Sequence, residues 1–383
     1  MSKAPEPPRR VFMEHGREYG YYDYLFPCDQ LEEDKLDIFH HAILEAQQNK
    51  LYKAPVYFRH RSEPLPSSKD GEAKTFPRRA GRQVLDLGTG TGLWAMSMAE
   101  EYPDSLVFGV DFYDFLQPRE ILKTTYFCGH VNIEQNWEPL YHFVDWAIQK
   151  RRTEGNPKPE IDKTNWDLIY VRMMNGSIKD WPALYRKIYN HLTPGFGCVE
   201  LVEIDWTPRS DDDTLPRNSN FEKWVGLLHK AMDRAGRSLR INPNTKNLLR
   251  EAGFVDVEES TVKLYHNPWN RGGHTEQVGR WFNLGLTHGL QGLSLSPLTR
   301  ILNMRESEVN ELVGKVRHET CLLKHHGYCN LHIWTARRPA EPTGSTSHAT
   351  SNPTSSHTGN NGPSNIPNAT ASSSSSGAGK KSQ

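Results

Sequence analysis

The sequence predicts an α/β fold of the Rossmann-like kind, with a central, mostly parallel sheet covered by helices on both faces. Three observations carry that reading. Val84-Leu85-Asp86-Leu87 is apolar around one acid and reads as a short buried strand. Gly88-Thr89-Gly90-Thr91-Gly92 then turns the chain, and a helix starts near Trp94. Strand, glycine turn and helix together form a nucleotide-type binding unit of an α/β sheet. Leu106–Asp111 is a second strand that also ends in an acid. Further on, the strand patterns at 166–172 and 197–204 flank a helix pattern at 180–191, the βαβ rhythm of a parallel sheet.

The glycine turn alone does not choose a ligand; its spacing and the two acids do. The glycines are spaced Gly-x-Gly-x-Gly, whereas the dinucleotide fingerprint requires Gly-x-Gly-x-x-Gly. Gly88, Gly90 and Gly92 allow the backbone to come close to a ligand. Asp86 lies two residues before the first glycine, where a carboxylate would repel a pyrophosphate and attract an ammonium group. Asp111, at the end of the next strand, can hold a ribose diol with its two oxygens. An ammonium and a ribose without phosphate indicate S-adenosylmethionine. The competing reading is a structural turn with two solvated acids. After Tyr126-Phe127, part of a third strand, Asn132 and Ile133 fall where the ligand's adenine would lie, and a side-chain amide there can take its exocyclic amine.

Composition removes several classes of function. The chain has 383 residues and a formal net charge of zero, from 46 acids against 46 lysines and arginines. No global positive field draws it to nucleic acid, so no direct sequence-specific nucleic-acid binding is expected. Its five cysteines are scattered without a Cys-x-x-Cys pair, which argues against a zinc site or a disulfide scaffold and fits reduced cytosol or nucleus. No metal site is expected, and no apolar run is long enough for a membrane span. The polar, proline-rich start does not read as a signal peptide.

Taken in order, residues 1–10 read as disordered and 11–82 as an N-terminal extension. Val11–Cys28 is crowded with aromatics, including Tyr19, Tyr24 and Phe26, which form either a flap over a ligand or a surface strand pair. Asp29 with Glu32 resembles a capping box. It opens an amphipathic helix with Leu36, Phe39 and Ile43 at helical spacing. His40 and His41 are adjacent, face different directions and lack a third ligand. Glu63–Arg82 is a charged, proline-broken surface loop. The main domain runs over 83–339. Lys150-Arg151-Arg152 and the stretch to Lys163 read as an exposed insertion, either a solvated loop or a nuclear-import signal. Asp211-Asp212-Asp213 reads as a solvated turn. Helices are expected over 221–235 and 245–252, a strand over 255–264 and a last strand over 328–335. Between these strands lies a largely helical insertion, 265–327, long for a simple connection. Residues 340–383 are rich in Ser, Thr, Asn, Gly and Pro and read as a disordered tail.

The fourth strand runs into Arg172-Met173-Met174-Asn175, whose position beyond the carboxyl end faces a bound cofactor's reactive group. Many amine- and base-directed methyltransferases place an Asn-Pro-Pro-aromatic motif there; a thioether stands here instead. If side chains alternate, Met173 faces the cofactor and Met174 points away. Two readings stay open. The methionines are gap-filling core residues, or Met173 lines a methyl-transfer channel, where its sulfur accepts a methyl group as a sulfonium or shields the site from water. No histidine or glutamate pair stands out as a general base.

Several stretches extend the reading. They include Leu25-Phe26-Pro27-Cys28-Asp29, Asn267-Pro268-Trp269, Arg280-Trp281-Phe282-Asn283-Leu284, Leu293-Ser294-Leu295-Ser296-Pro297 and Leu331-His332-Ile333-Trp334-Thr335. Over roughly 11–339 the chain resembles the fungal LaeA-type methyltransferases, regulators of secondary metabolism within the class I S-adenosylmethionine-dependent superfamily. The resemblance implies a nuclear protein that joins velvet-domain proteins and controls transcription of metabolite gene clusters and development, including sporulation. It does not supply a methyl acceptor. Thr89 departs from the cysteine frequent among relatives, and Asn132 from an acid. A small-molecule methyltransferase and a cofactor-binding scaffold without turnover are the alternatives.

Overall fold

A computed structural model describes residues 11–20, 24–62, 82–113, 126–153 and 162–341, the side chains of 150–153 excepted. The proposed N-terminal disorder, nearly all of the 63–82 loop, residues 154–161 and the tail beyond Glu341 lie outside the described residues.

The sheet is built from β3 (Arg82–Leu87), β4 (Ser105–Asp111), β5 (Tyr126–His130), β6 (Leu168–Arg172), β7 (Cys198–Arg209), β8 (Val255–Tyr265) and β9 (Tyr328–Arg337). Its spatial order is β5-β4-β3-β6-β7-β9-β8. The strands from β5 to β7 pair in parallel, and β9 runs antiparallel to both β7 and β8. The chain leaves β3 to one side for β4 and returns to its other side for β6. This reversal opens a crevice beyond the carboxyl ends of β3, β4 and β6, where open α/β sheets bind ligands.

Period-two alternation distributes the strand side chains to two cores. Val84, Leu168 and Tyr170 pack on one face, with α2 (Leu93–Glu101), α5 (Asn220–Arg234) and the helical insertion. Leu85, Leu87, Ile169 and Val171 pack on the other, with α3 (Glu138–Thr153), α4 (Trp181–Asn190) and α6 (Thr245–Glu251). Trp94 of α2 stacks on Tyr170 with centroids 3.8 Å apart and rings nearly coplanar. That contact fixes the helix that follows the glycine turn.

The aromatic segment at the start is a strand pair, β1 (Val11–Glu14) with β2 (Arg17–Gly20). Its Arg17 makes a two-pronged ion pair with Asp29, at 2.6 and 2.7 Å. Asp29 also caps α1 (Gln30–Ala46) by accepting from Glu32 N at 3.1 Å. Half of the anticipated capping box is therefore present. The Glu32 side chain instead pairs with Lys35, both buried.

The insertion contains α7 (His274–Ser296), a π-helical turn (Pro297–Ile301) and α8 (Glu306–Thr320). α1 lies against α7 because glycines on α7 leave it room. A Cβ at Gly285 would stand 3.0 Å from the Phe39 ring, and one at Gly289 would stand 2.7 Å from Lys35. Two motifs singled out in the sequence act as fasteners here. Asn267 Nδ2 donates to the carbonyls of Thr320, Leu322 and His325. Ser294 Oγ accepts from Trp224 Nε1 at 2.7 Å, tying α7 to α5.

Two expectations need correction. The basic triplet Lys150-Arg151-Arg152 is the end of α3 and not a loop. Leu140, Val144 and Ala147, all buried at helical spacing, carry the helix to it. The fourth strand begins at Leu168 instead of Trp166. Trp166 makes only a lone bridge to Leu192, and Asp167 accepts from Gln83 N at 2.8 Å.

Among the described residues no helix is long and apolar enough to cross a membrane, and no cluster of His, Cys, Asp or Glu could hold a metal ion. The Asp211–Asp213 turn is engaged by neighbours: Asp211 pairs with Lys263 and accepts from the Tyr328 hydroxyl, while Asp212 pairs with His326.

Candidate functional site: the cleft beyond β3, β4 and β6

A cleft of about 870 Å³ opens at the reversal point, within the size range of small-molecule and cofactor pockets. Gly88, Gly90, Asp111, Asn132, Ile133 and Met173 all line it. Asp86 and Gly92 lie outside its walls. Asp86 is buried beneath, its Oδ2 accepting from the Thr89 hydroxyl at 2.7 Å. Gly92 is the left-handed N-cap of α2, its N–H donating to Thr89 O.

The turn is shaped by what each glycine admits. Gly88 has φ +75°, and a Cβ there would fall 2.2 Å from the Met174 sulfur. Gly90 has φ +55°; a Cβ there would meet only Leu36, at 3.3 Å, and would take up cleft space. Gly109 of β4 leaves room for Thr89 to tuck in beside Asp86, since a Cβ would stand 2.6 Å from the Thr89 hydroxyl. From outside, Asp37 of α1 accepts from the Thr91 hydroxyl at 2.6 Å and holds the turn to the N-terminal helix.

Asp111 ends β4 with its carboxylate on the cleft wall. Oδ2 accepts from Gly90 N at 2.8 Å and Oδ1 from Tyr113 N at 3.1 Å. Burial raises its carboxyl, and the Gly90, Tyr113 and Phe112 amides offset only part of that rise. Each oxygen retains a further acceptor direction, which suits two vicinal hydroxyls. Asn132 Oδ1 accepts from Glu134 N at 3.0 Å, holding the loop after β5 in a turn.

The methionines break the expected alternation. The strand ends at Arg172, and Met173 takes a left-handed φ of +54°. Alternation lapses there, so Met173 and Met174 both line the cleft, and it is Met174 that covers Gly88. The backbone is held from behind by Glu203 of β7. Its Oε1 accepts from Met174 N at 2.7 Å, and both its oxygens accept from Asn175 N at 3.2 Å.

Tyr24, from the aromatic extension read as a flap or a strand pair, reaches the mouth and packs against Tyr113, with centroids 5.4 Å apart, while several other wall residues escaped sequence reasoning. The extension is thus both a strand pair and a contributor to the cleft. Gly20 of β2 gives Tyr113 its place, because a Cβ there would strike the Tyr113 ring. Arg172 donates to His40 Nδ1 at 3.1 Å. Burial foremost, then the Arg172 charge, push the His40 imidazole down to about 2, so it is a neutral acceptor. Glu134 joins three segments across the cleft: it accepts from Lys179 N at 2.7 Å and pairs with Arg237 at 3.2 Å. Besides Tyr24, only Arg172, at a strand's carboxyl end, carried a positional signal. The others arrive through tertiary contacts.

Burial also raises other carboxyls in the sheet, Asp86 to about 6, Glu200 to about 7 and Glu203 to about 8. A carboxyl raised in the folded state favours folding while protonated. That contribution is complete below the ordinary carboxyl range and is lost as pH rises through the folded value. Glu203→Gln keeps an acceptor for the Met174 amide and does not titrate. Its melting temperature relative to the parent chain should therefore rise by roughly 2–6 °C between pH 5 and pH 9. Thermal melts across that range test this; a constant difference would contradict it.

The chain belongs to the methyltransferase-domain family, which it matches over residues 57–259. Two relatives extend the likeness. The secondary metabolism regulator laeA of Fusarium oxysporum f. sp. lycopersici is 38% identical over 336 residues, covering 86% of this chain and 92% of that one. The secondary metabolism regulator LAE1 of Cochliobolus heterostrophus is 38% identical over 334 residues, covering 86% and 95%. The fold is thus a class I methyltransferase fold, and the methyl donor is S-adenosylmethionine. The residues fit it: Asp111 offers paired acceptors, Gly90 leaves cleft space unfilled, and Asn132 and Ile133 line the wall beyond β5.

Proposed function

We propose that the chain is a regulatory S-adenosylmethionine-dependent methyltransferase. In this reading it works in the nucleus as a component of a velvet complex, controlling transcription of secondary-metabolite gene clusters and development, sporulation included. The observation that carries the reading is the 38% identity, over nearly the full length of both chains, to the secondary metabolism regulator laeA. The long helical insertion adds support: it exposes Leu284 and Leu323, and insertions of this size commonly carry partner surfaces. Affinity purification of the tagged chain from fungal nuclei should recover velvet-domain proteins. Recovery of none, together with turnover of a purified metabolite, would replace this reading by a biosynthetic methyltransferase. Normal complex assembly and gene control by a variant that cannot bind the cofactor would leave a scaffold.

Within this reading Met173 is the proposed methyl acceptor. The supporting observation is its left-handed backbone on the cleft wall, a conformation that costs free energy and clusters at functional sites. Its thioether sulfur would form the new carbon–sulfur bond and take on the positive charge as a sulfonium, with S-adenosylhomocysteine released. Incubation with methyl-labelled donor followed by peptide mass spectrometry should place the label on Met173. Label on neither Met173 nor Met174, with full regulation by Met173→Leu, would reduce both to core filling.

A further inference from the structure

Behind the cofactor cleft lies a second cavity of about 450 Å³. The two share Ile178 and Lys179, and the segment from Met174 to Lys179 is the partition between them. The cavity is bounded by the β6–α4 loop, α4, the loop from α5 to α6, and the inner strands β7 and β9.

Its chemistry is unusual for a packing defect. Glu203 is on its wall with its side chain almost fully buried. Both carboxylate oxygens accept backbone N–H groups, and among the described residues no side chain donates to either. Four acceptor directions are available to a carboxylate, and three hydrogen bonds use them, the 2.7 Å bond and two sharing the Asn175 amide. Burial raises this carboxyl, and the Met174 and Asn175 amides offset part of that rise. The wall also carries Lys179, Asp233 and Arg240, and Arg240 Nε donates to Asp233 at 3.0 Å. Trp181, Tyr185 and Trp334 line the same cavity. The Trp181 and Tyr185 rings are 5.4 Å apart, and the Tyr185 phenol feels the Glu203 charge.

A buried acid to which no side chain among the described residues donates, in an open cavity that also carries aromatic faces, has the composition of a cation site. The acid supplies charge, and indole and phenol faces attract a desolvated ammonium or guanidinium through their quadrupoles. A neutral apolar guest would leave the carboxylate uncompensated, and an anion would be repelled by it. We infer that this cavity binds a small organic cation, a guanidinium or primary ammonium group on a short alkyl chain, with Glu203 as its counter-ion and Trp181, Tyr185 and Trp334 as its aromatic wall. The site is separate from the cofactor cleft, and its occupant need not be the methyl acceptor.

The test uses the full chain with n-butylguanidinium and n-butylammonium as probes and 1-butanol as the neutral control. Both cations should raise the melting temperature saturably at pH 8.5, and calorimetry should show affinity at least fivefold weaker in Glu203→Gln. 1-Butanol should give no saturable shift. Equal response of the parent chain and Glu203→Gln, equal response to cation and alcohol, or no saturable response to either cation would overturn the assignment. Should Glu203→Gln not fold, Trp181→Leu serves in its place. It removes one aromatic face and keeps the acid, and should weaken n-butylguanidinium at least threefold; unchanged affinity would again overturn the site.

Discussion

Gly88→Ala is expected to lower affinity for S-adenosylhomocysteine at least a hundredfold. Two effects act in the same direction. The residue has φ +75°, which costs an alanine about 1–2 kcal/mol. Its new Cβ would also fall 2.2 Å from the Met174 sulfur. The tip of a methionine moves easily, but here it lines the cleft, so displacement carries it into space the cofactor needs. Asp111→Ala should have a smaller effect. It removes an acceptor pair that also anchors Gly90 and Tyr113. Loss of a charge-assisted contact costs about 1.5–3 kcal/mol, or roughly ten- to a hundredfold in affinity. Calorimetric titration of both variants measures the pair. Unchanged affinity in both would remove the cleft as the cofactor site.

What the sequence revealed of this fold follows from where its information is local. β3, the glycine turn and α2 depend on residues within one short stretch, and so do β6, α4 and β7. Strand alternation and turn chemistry therefore located them to within a few residues. α3 is masked in the sequence because its buried positions Leu140, Val144 and Ala147 run into a basic triplet, and such a triplet is equally the composition of a solvated loop. The Met173–Met174 alternation failed for a different reason. It presumes that a strand continues, and here Met173 takes a left-handed φ just past the end of β6 while Glu203 from another strand holds the following amides. The cleft shows the same division. Asp111 and the glycines were legible because the motif is contiguous. Tyr24 belongs to the aromatic segment that reads as a flap or a strand pair, whereas Glu134 on the wall and His40 behind Arg172 come together across large sequence separations that no local pattern marks. Asp86 was legible as a strand-end acid, but its burial under Thr89 depends on Gly109, a neighbour on the adjacent strand.

Asn267→Ala should cost the fold about 2–4 kcal/mol, from one buried carbonyl left unsatisfied and two hydrogen bonds weakened. The residue is 1% exposed. Its one amide nitrogen donates to Thr320 O at 3.1 Å, Leu322 O at 3.2 Å and His325 O at 3.0 Å. Those carbonyls belong to the end of α8 and the loop that returns the chain to β9, where helix geometry leaves carbonyls without intrahelical partners. Asn283 of α7 supports the same corner by donating to Thr320 O and to His266 O. An alanine at 267 leaves His325 O without its side-chain donor, at about 1–3 kcal/mol for a buried group left unsatisfied. Leu322 O still accepts from His325 N at 2.9 Å and Thr320 O from Asn283 Nδ2, so those two carbonyls lose only part of their bonding. Total stabilities are only about 5–15 kcal/mol, so the loss is a large share. Ser294→Ala, which removes the acceptor of Trp224 Nε1, should cost about 1–3 kcal/mol by the same reasoning. Urea unfolding of both variants tests the ranking. A loss below about 1 kcal/mol in Asn267→Ala would mean that the corner finds other donors and that the Asn-Pro-Trp stretch is not what fastens the insertion to the sheet.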